Sequence, residues 1–235
     1  MPQIVFRYDL CNLVMTTKPL CLLPFLAFAL FGADNDHLLL ERPAMNANTI
    51  VFVYAGDLWS VARSGGHAVR LTTGVGIETD PVFSPDGSTL AFTGEYDGNT
   101  DVFIMPAAGG VPKRLTYHPA ADEAVSWTPD GKYVIFRSAR ESTSQRYTKL
   151  FKVPVQGGLP EALPLPIAYS GEFSPDGKHF AYSPTGGGFS FTYTRFVAWR
   201  RYRGGLASSI SITDFPDLNT ISIPREAVRS FKYPS

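Results

Sequence analysis

The sequence is poor in cysteine, and both of its cysteines, Cys11 and Cys21, lie near its start. The rest of the chain therefore offers neither a disulfide framework nor a thiolate metal site. Neither sign of charge predominates, because Lys plus Arg and Asp plus Glu number 21 each. A balanced charge creates no global field that would attract nucleic acid or an anionic membrane. No nucleic-acid partner is expected.

Apolar runs long enough to cross a membrane are also missing. The run at residues 20–31 is too short for a stable membrane span. It follows Lys18 and precedes Gly32-Ala33-Asp34, flanks that are typical of a secretory signal. Residues 1–33 are therefore predicted to be a secretory signal or targeting segment, with Met15 as the candidate true start. The protein would be exported, periplasmic or secreted; a buried core segment is the alternative, and the protein would then be cytoplasmic.

Glycine, proline and aromatic residues, by contrast, are plentiful. The chain of 235 residues has 21 Gly, 19 Pro, 17 Phe and 11 Tyr, and 44% of its residues are hydrophobic. This composition suits short strands and hairpin turns better than helices, and it allows a sizeable core. The composition indicates an all-β fold.

A five-residue stretch recurs along the chain. Phe83-Ser84-Pro85-Asp86-Gly87 returns as Trp127-Thr128-Pro129-Asp130-Gly131 and as Phe173-Ser174-Pro175-Asp176-Gly177, 44 and 46 residues apart. Ser or Thr, Pro, Asp and Gly in this order predict a tight hairpin turn. Periods of this length are typical of repeat architectures and propellers. Asp86, Asp130 and Asp176 are thus expected to be turn residues, with no chemistry required of them.

Each turn is preceded and followed by apolar segments that align between the repeats. Each repeat therefore has four strands, as in a propeller blade. One strand precedes the Pro-Asp-Gly turn, two lie between that turn and a Gly-Gly turn, and one follows the Gly-Gly turn. The aligned columns are Ile50-Val51-Phe52, Leu90-Ala91-Phe92, Val134-Ile135-Phe136 and Phe180-Ala181-Tyr182, followed by Leu58 to Val61, Val102 to Met105 and Leu150 to Val153. The fold class predicted is a β-propeller of four-stranded antiparallel blades, with about four blades spanning residues 38–223.

The fourth blade departs from the pattern. Its third strand is predicted at Ser209-Ile210-Ser211-Ile212, after an insertion at residues 184–205, and its fourth at Asn219 to Ile223. Residues 224–235 are predicted to be a non-repeat tail. A propeller is stable because its blades close a ring, so four blades of a larger plan leave one blade face open. Marginal stability or self-association through that face is expected.

The recurring Ser-Pro-Asp-Gly turn, the Gly-Gly turn and the Leu-Thr ending resemble the TolB-like propeller repeat. The resemblance narrows to the first propeller of tricorn-type serine peptidases at three stretches, which are Leu115 to Asp122, Phe136 to Ser142 and Trp199-Arg200-Arg201-Tyr202-Arg203-Gly204-Gly205. That resemblance implies an incomplete six-bladed propeller, from a protein whose second propeller, PDZ-like domain and catalytic domain lie elsewhere. The chain has no Gly-x-Ser-x-Gly elbow, and no catalytic residue is assigned to it.

The resemblance implies that this chain has an accessory function in a peptidase. The propeller would bind peptides or unfolded protein and guide them to a protease domain absent from this chain, so whether the chain itself counts as an enzyme stays open. A periplasmic TolB-like platform for protein–protein interaction is one alternative. An accessory propeller of a prolyl-oligopeptidase-like enzyme is another.

Arginines are the candidate peptide-binding residues, because a guanidinium can hold a carboxylate in two parallel hydrogen bonds. Those near loops or the insertion are Arg137, Arg140, Arg200, Arg201 and Arg203. Surface salt bridging, for example to Glu141, is the alternative role. No metal site or cofactor is expected, because His118 and His179 lack companions at ligand spacing and Asp97 to Asp101 lacks the later Glu of a calcium loop.

Overall fold

The computed structural model describes residues 38–143, 147–184, 209–215 and 217–223. These residues contain no helix and form four antiparallel four-stranded sheets, numbered here as blades 1 to 4. Blade 1 comprises β1 (Glu41–Met45), β2 (Thr49–Tyr54), β3 (Asp57–Ala62) and β4 (Val69–Arg70). Blade 2 comprises β5 (Ile77–Phe83), β6 (Thr89–Tyr96), β7 (Asn99–Pro106) and β8 (Lys113–Arg114). Blade 3 comprises β9 (Asp122–Trp127), β10 (Tyr133–Ser138), β11 (Lys149–Pro154) and β12 (Glu161–Ala162). Blade 4 comprises β13 (Ser170–Phe173), β14 (His179–Ser183), β15 (Ser211–Asp214) and β16 (Thr220–Ser222).

The all-β propeller fold predicted from the repeat is confirmed. Within each blade the strands pair in chain order, so every blade is an up-and-down sheet. The first strands of consecutive blades contact one another, which places β1, β5, β9 and β13 innermost. The predicted third strand of blade 4 begins two residues late, at Ser211. Most of the predicted insertion lies outside the described residues, as do the predicted signal segment at residues 1–33 and the tail at residues 224–235.

The Pro-Asp-Gly turns have the predicted geometry. The Gly131 N–H donates to the Thr128 carbonyl at 2.9 Å, and the Thr128 hydroxyl donates to Asp130 Oδ1 at 2.6 Å. The same two bonds occur in the other two copies. Gly131 has a φ of 67°, a left-handed conformation that glycine adopts without a Cβ penalty. The three aspartates therefore fold hairpins, as expected.

The core lies between the blades. An apolar cluster fills each boundary between consecutive blades, which explains why β10 buries both of its faces. The boundary clusters are built around Val51, Leu58, Leu90 and Phe92, then around Ala91, Val102, Val134 and Phe136, and finally around Ile135, Leu150, Phe180 and Tyr182. Aromatic pairs on neighbouring strands stack within these layers, with ring centroids 5.7 Å apart for Phe92 and Phe103. Each fully buried apolar side chain contributes about 2 kcal/mol.

Side chains also bridge the boundaries by hydrogen bonds to the neighbouring blade's backbone. Asn46 Nδ2 donates to the Gly87 carbonyl at 3.0 Å, and Trp127 Nε1 donates to the Val82 carbonyl at 3.1 Å. The Ser126 hydroxyl donates to the Gly171 carbonyl at 2.8 Å. These bonds fix the register of one blade against the next.

The ring is not closed by the described residues. Blade 4 alternates buried and exposed positions along β14, whereas β10 in blade 3 is buried on both faces. Ala181 is paired with Ile212, and Ile212 with Ile221, so these three residues share the uncovered face of blade 4, called here the open face. Four blades with an open face fit an incomplete propeller.

Candidate functional site

Charged residues gather on the innermost strands, where a propeller surrounds its axis. Arg42 of β1 forms an ion pair with Asp80 of β5, which joins blade 1 to blade 2. Both residues precede a proline and lie at a bulge, and both have positive φ, 48° and 51°. The hydroxyls of Thr79 and Thr93 donate to Asp80 Oδ2 at 3.2 and 3.3 Å. Asp80 is thereby held in place, while half of the Arg42 side chain stays exposed (51%).

Arg137 occupies the next boundary. It stands opposite Glu123 in the β9–β10 register and forms an ion pair with it. Its guanidinium lies over the Tyr169 ring, 4.3 Å from the centroid, which joins blade 3 to blade 4 by a cation–π contact. Burial lowers the pKa of the Arg137 guanidinium, while the charges of Tyr169 and Asp80 act to raise it. An arginine stays protonated in this setting, because its pKa lies so far above neutrality.

These residues form one connected group, defined here as the axial cluster: Arg42, Asp80, Glu123, Arg137 and Tyr169. The Ala124 N–H donates to the Thr93 hydroxyl at 2.9 Å, which links the two halves of the group. The cluster thus runs across all four blades with two guanidinium groups and two carboxylates. Arg42 is the guanidinium that solvent reaches most easily, since only 11% of the Arg137 side chain is exposed.

The Arg140 side chain is also largely buried. Its guanidinium is ion-paired with Asp122, which is fully buried, and lies 5.1 Å from the centroids of both the Phe136 and the Phe151 rings. The Arg140 Nε–H also donates to the Ser138 hydroxyl at 3.3 Å. Asp122 Oδ1 has no hydrogen-bond partner among the described residues. Arg140 therefore anchors the end of β10 beside the axial cluster.

Buried acidic residues in blades 1 and 2 also have partners: Asp57 and Asp101 lie on third strands, and Glu78 lies on a first strand. Asp57 pairs with Arg70 at 2.6 Å, and Asp101 pairs with Arg114. Glu78, which aligns with Asp122, accepts from the Thr72 hydroxyl at 2.7 Å and from the Tyr96 hydroxyl at 2.6 Å. Burial raises the pKa of the Tyr96 hydroxyl, and its hydrogen bond to Glu78 raises it further. Each of these groups has a partner within its own blade, and Glu78 also accepts from Thr72, which follows β4 of blade 1, so they fit structural roles.

The predicted arginines are thus only partly brought together. Arg137 and Arg140 lie at the same end of blade 3, while Arg200, Arg201 and Arg203 lie outside the described residues. Four further residues of the axial cluster were not predicted from the sequence: Arg42, Asp80, Glu123 and Tyr169. A signal existed for the first two, because Arg42-Pro43 and Asp80-Pro81 fall in the same column of the repeat.

The two histidines considered as metal ligands each have a polar partner in the structure. His179 Nδ1 lies 2.7 Å from Asp214 Oδ1 at an exposed position. His118 Nδ1 accepts from the Ala120 N–H at 3.0 Å. Residues 38–143, 147–184, 209–215 and 217–223 bring no three His, Cys, Asp or Glu side chains together as a metal site would require. Over the same ranges, no helix has the length and hydropathy of a membrane span.

Comparison with known proteins assigns the repeat to a family. Residues 37–234 match the family described as the Tricorn protease N-terminal beta propeller domain. Tricorn protease homolog 1 of Streptomyces coelicolor is 31% identical over 175 residues, which cover 74% of this chain and 16% of that protein. A protein of Sulfurisphaera tokodaii that carries the provisional name of a Tricorn-like protease N-terminal subunit is 23% identical over 181 residues, which cover 73% of this chain and 85% of that protein. The chain thus spans about a sixth of the Streptomyces relative.

Solved structures agree on the fold. The crystal structure of the tricorn protease superposes with a TM-score of 0.65 at 22% identity, over 79% of this chain and 18% of that chain. The structure of TolB from Acinetobacter baumannii gives a TM-score of 0.61 at 23% identity, over 79% of this chain and 43% of that chain. At these identities the likeness shows the propeller architecture.

Proposed function

The chain belongs to the family of Tricorn protease N-terminal β-propeller domains, and we propose that it binds peptides and guides them to a protease domain that lies outside this chain. The propeller would contribute no catalytic group of its own. Its part would be to hold an extended peptide near the axis of the ring and present it to the active site. Partners would be peptides or unfolded protein, and the protease and PDZ-like domains of a tricorn-like peptidase.

The observation that carries this proposal is the exposed guanidinium of Arg42 within the axial cluster. A peptide's C-terminal carboxylate fits the planar fork of an arginine, which donates two parallel hydrogen bonds. Arg42 has the exposure to accept such a ligand, and Arg137 supplies a second positive charge on the neighbouring strands. Arg140 would hold the end of β10 in place, and Arg200, Arg201 and Arg203 remain predicted peptide contacts.

Binding would require an exchange of partners. Arg42 and Arg137 are both ion-paired in the free protein, with Asp80 and Glu123. An incoming carboxylate must displace these acidic partners or share the guanidinium with them. The net binding free energy is therefore the difference between the new ion pair and the one that is weakened or lost. Since exposed ion pairs contribute less than about 1 kcal/mol, the exchange is energetically accessible at Arg42.

The test compares two peptides of the same sequence, one with a free C-terminal carboxylate and one amidated, by fluorescence anisotropy with the full chain. The free peptide is expected to bind about fivefold more tightly, because only its carboxylate can engage the guanidinium. Arg42→Gln should remove that preference. Arg63→Gln, at an exposed arginine outside the axial cluster, should retain it. Equal binding of both peptides by the unaltered protein would refute the carboxylate-binding role.

A TolB-like role as a protein-interaction platform is the second candidate. A Protein TolB homolog of Chlorobium luteolum is 32% identical over 161 residues, which cover 49% of this chain and 37% of that protein. This role predicts that the immobilised chain captures folded envelope proteins and has no affinity for either peptide. Peptide binding without capture of folded proteins would favour the tricorn-like role.

Export would suit both candidates, and we infer it from the signal segment that the sequence predicts at residues 1–33. A fusion of that segment to alkaline phosphatase, an enzyme that is active only after export, should give activity in intact cells. Lys18→Glu, which reverses the charge before the apolar run, should reduce the activity. An inactive fusion would instead favour a cytoplasmic protein.

A further inference from the structure

A lysine side chain spans the boundary between blades 2 and 3. Lys113 of β8 reaches across it, and its ammonium donates to the carbonyls of Val155 at 3.0 Å and Gln156 at 2.8 Å. Both carbonyls belong to the turn that follows β11 in blade 3. Lys113 thus connects the last strand of blade 2 to the turn that follows the third strand of blade 3.

At the following boundary, between blades 3 and 4, the equivalent position is occupied by a glutamate. Lys113 pairs with Ile104 in the β7–β8 register, and Glu161 pairs with Lys152 in the β11–β12 register. Ile104 and Lys152 occupy the same column of the repeat, so Glu161 stands where Lys113 stands in blade 2. Its carboxylate forms an ion pair with Lys152 of its own blade at 3.0 Å.

A cleft of about 490 Å³ lies at this boundary. Its apolar walls include Phe173 and Phe215, whose ring centroids are 5.1 Å apart. Both belong to blade 4, and the opposite wall comes from blade 3. The cleft therefore occupies the gap that Lys113 spans one boundary earlier.

The charges that line the cleft are mostly negative. Asp130, Glu161 and Asp176 contribute carboxylates, and Lys152 contributes the compensating ammonium, 4.8 Å from the Tyr133 ring centroid. Hydrogen bonds from the turn hydroxyls of Thr128 and Ser174 lower the pKa values of Asp130 and Asp176. Both aspartates are therefore ionised at neutral pH, and the lining carries a net negative charge.

We propose that this cleft binds a lysine side chain of a partner peptide. A lysine combines an apolar stem, which suits the two phenylalanines, with an ammonium that three carboxylates attract. The molecule's own Lys113 shows that a blade boundary accepts a lysine in this position. The cleft would give the propeller a second recognition site, away from the axial cluster and selective for cationic segments.

The test uses the full chain and two peptides, acetyl-Gly-Leu-Lys-Leu-Gly-amide and its counterpart with norleucine in place of lysine. Norleucine keeps the apolar stem and removes the ammonium. Calorimetry is expected to show binding of the lysine peptide, about tenfold weaker binding of the norleucine peptide, and a loss of affinity at high salt. Equal affinities, or no binding of the lysine peptide, would overturn the proposal.

Charge reversal in the protein provides the matched control. Glu161→Lys places the missing lysine in the gap and should weaken the binding of the lysine peptide about tenfold. Glu95→Lys makes the same change at an exposed position on β6 outside the cleft and should leave binding unchanged. Circular dichroism checks that both variants keep the native fold. Because both peptides are amidated, their binding does not depend on the carboxylate preference assigned to Arg42, and either proposal can fail without the other.

Discussion

Single buried charges are the most sensitive points of this propeller. Asp122 is fully buried and forms an ion pair with Arg140. Removing one member of a buried ion pair leaves the other without compensation. Asp122→Ala is therefore expected to lower the free energy of unfolding by about 3–5 kcal/mol, measured by urea denaturation.

The exposed pair Lys149–Glu141 provides the control for that prediction. Its two side chains are only partly buried, and their ion pair is 2.9 Å long. Glu141→Ala should cost less than about 1 kcal/mol. If both substitutions had equally small effects, removal of Asp122 would not leave Arg140 as the buried, uncompensated charge that the structure indicates.

Asp86 makes the stability of the first Pro-Asp-Gly turn depend on pH. Hydrogen bonds from Ser84 and Ser88 lower the pKa of Asp86 from 3.8 to about 2. Because the folded-state pKa lies below the unfolded one, the ionised carboxylate stabilises the fold above about pH 4, and this contribution is lost as the pH falls towards 2. The difference in free energy of unfolding between the protein and Asp86→Asn should therefore shrink over that range. A difference that is independent of pH would contradict the role of the charge.

At the scale of strands and blades, much of the fold could be predicted from the sequence. The turn motif fixes a reference point in the repeat, so the apolar columns around it all lie inside the second and third strands of blades 1 to 3, although β6 and β7 extend three or four residues further at one end. The fourth strand of blade 3 was not predicted, because Leu163-Pro164 replaces the Leu-Thr ending that marks blades 1 and 2. Blade 4 was placed less accurately because an insertion separates its second and third strands.

The candidate site was harder to predict for a physical reason. Arg137 and Arg140 stand out in a motif, but Asp80 and Glu123 acquire their roles only when bulged first strands from different blades meet. The sequence separates Arg42 from Asp80 by 38 positions. Local patterns do not record which side chains such bulges bring together.

Lys113 is expected to stabilise a whole blade boundary. Lys113→Met keeps the apolar stem and removes two charge-assisted hydrogen bonds to blade 3, so the free energy of unfolding should fall by about 1 kcal/mol. Lys132→Met is the matched control, because that lysine is largely exposed and lies 3.7 Å from its acidic neighbour Asp130. Urea denaturation of both variants gives the comparison. Equal changes would mean that the lysine does not tie the blades together.

At the scale of the whole molecule, the open face of blade 4 predicts self-association. Ile212 and Ile221 are 37% and 72% exposed there, and the preceding boundaries bury the corresponding faces. An uncovered apolar sheet face tends to find a partner, and a second copy of the chain is one that is always present. Light scattering coupled to size-exclusion chromatography should show a mass that rises with concentration.

Charge placed on the open face should reverse that association. Ile212→Lys with Ile221→Lys introduces repulsion and a desolvation cost on the surface that would be covered, so the mass should return to that of one chain. Val111→Lys, at an exposed residue of the turn after β7, should leave the association unchanged. A monodisperse, cooperatively melting monomer at all concentrations would instead mean that four blades close on themselves. The open face would then have to be covered from within the chain, and a compact four-bladed ring would replace the incomplete six-bladed one.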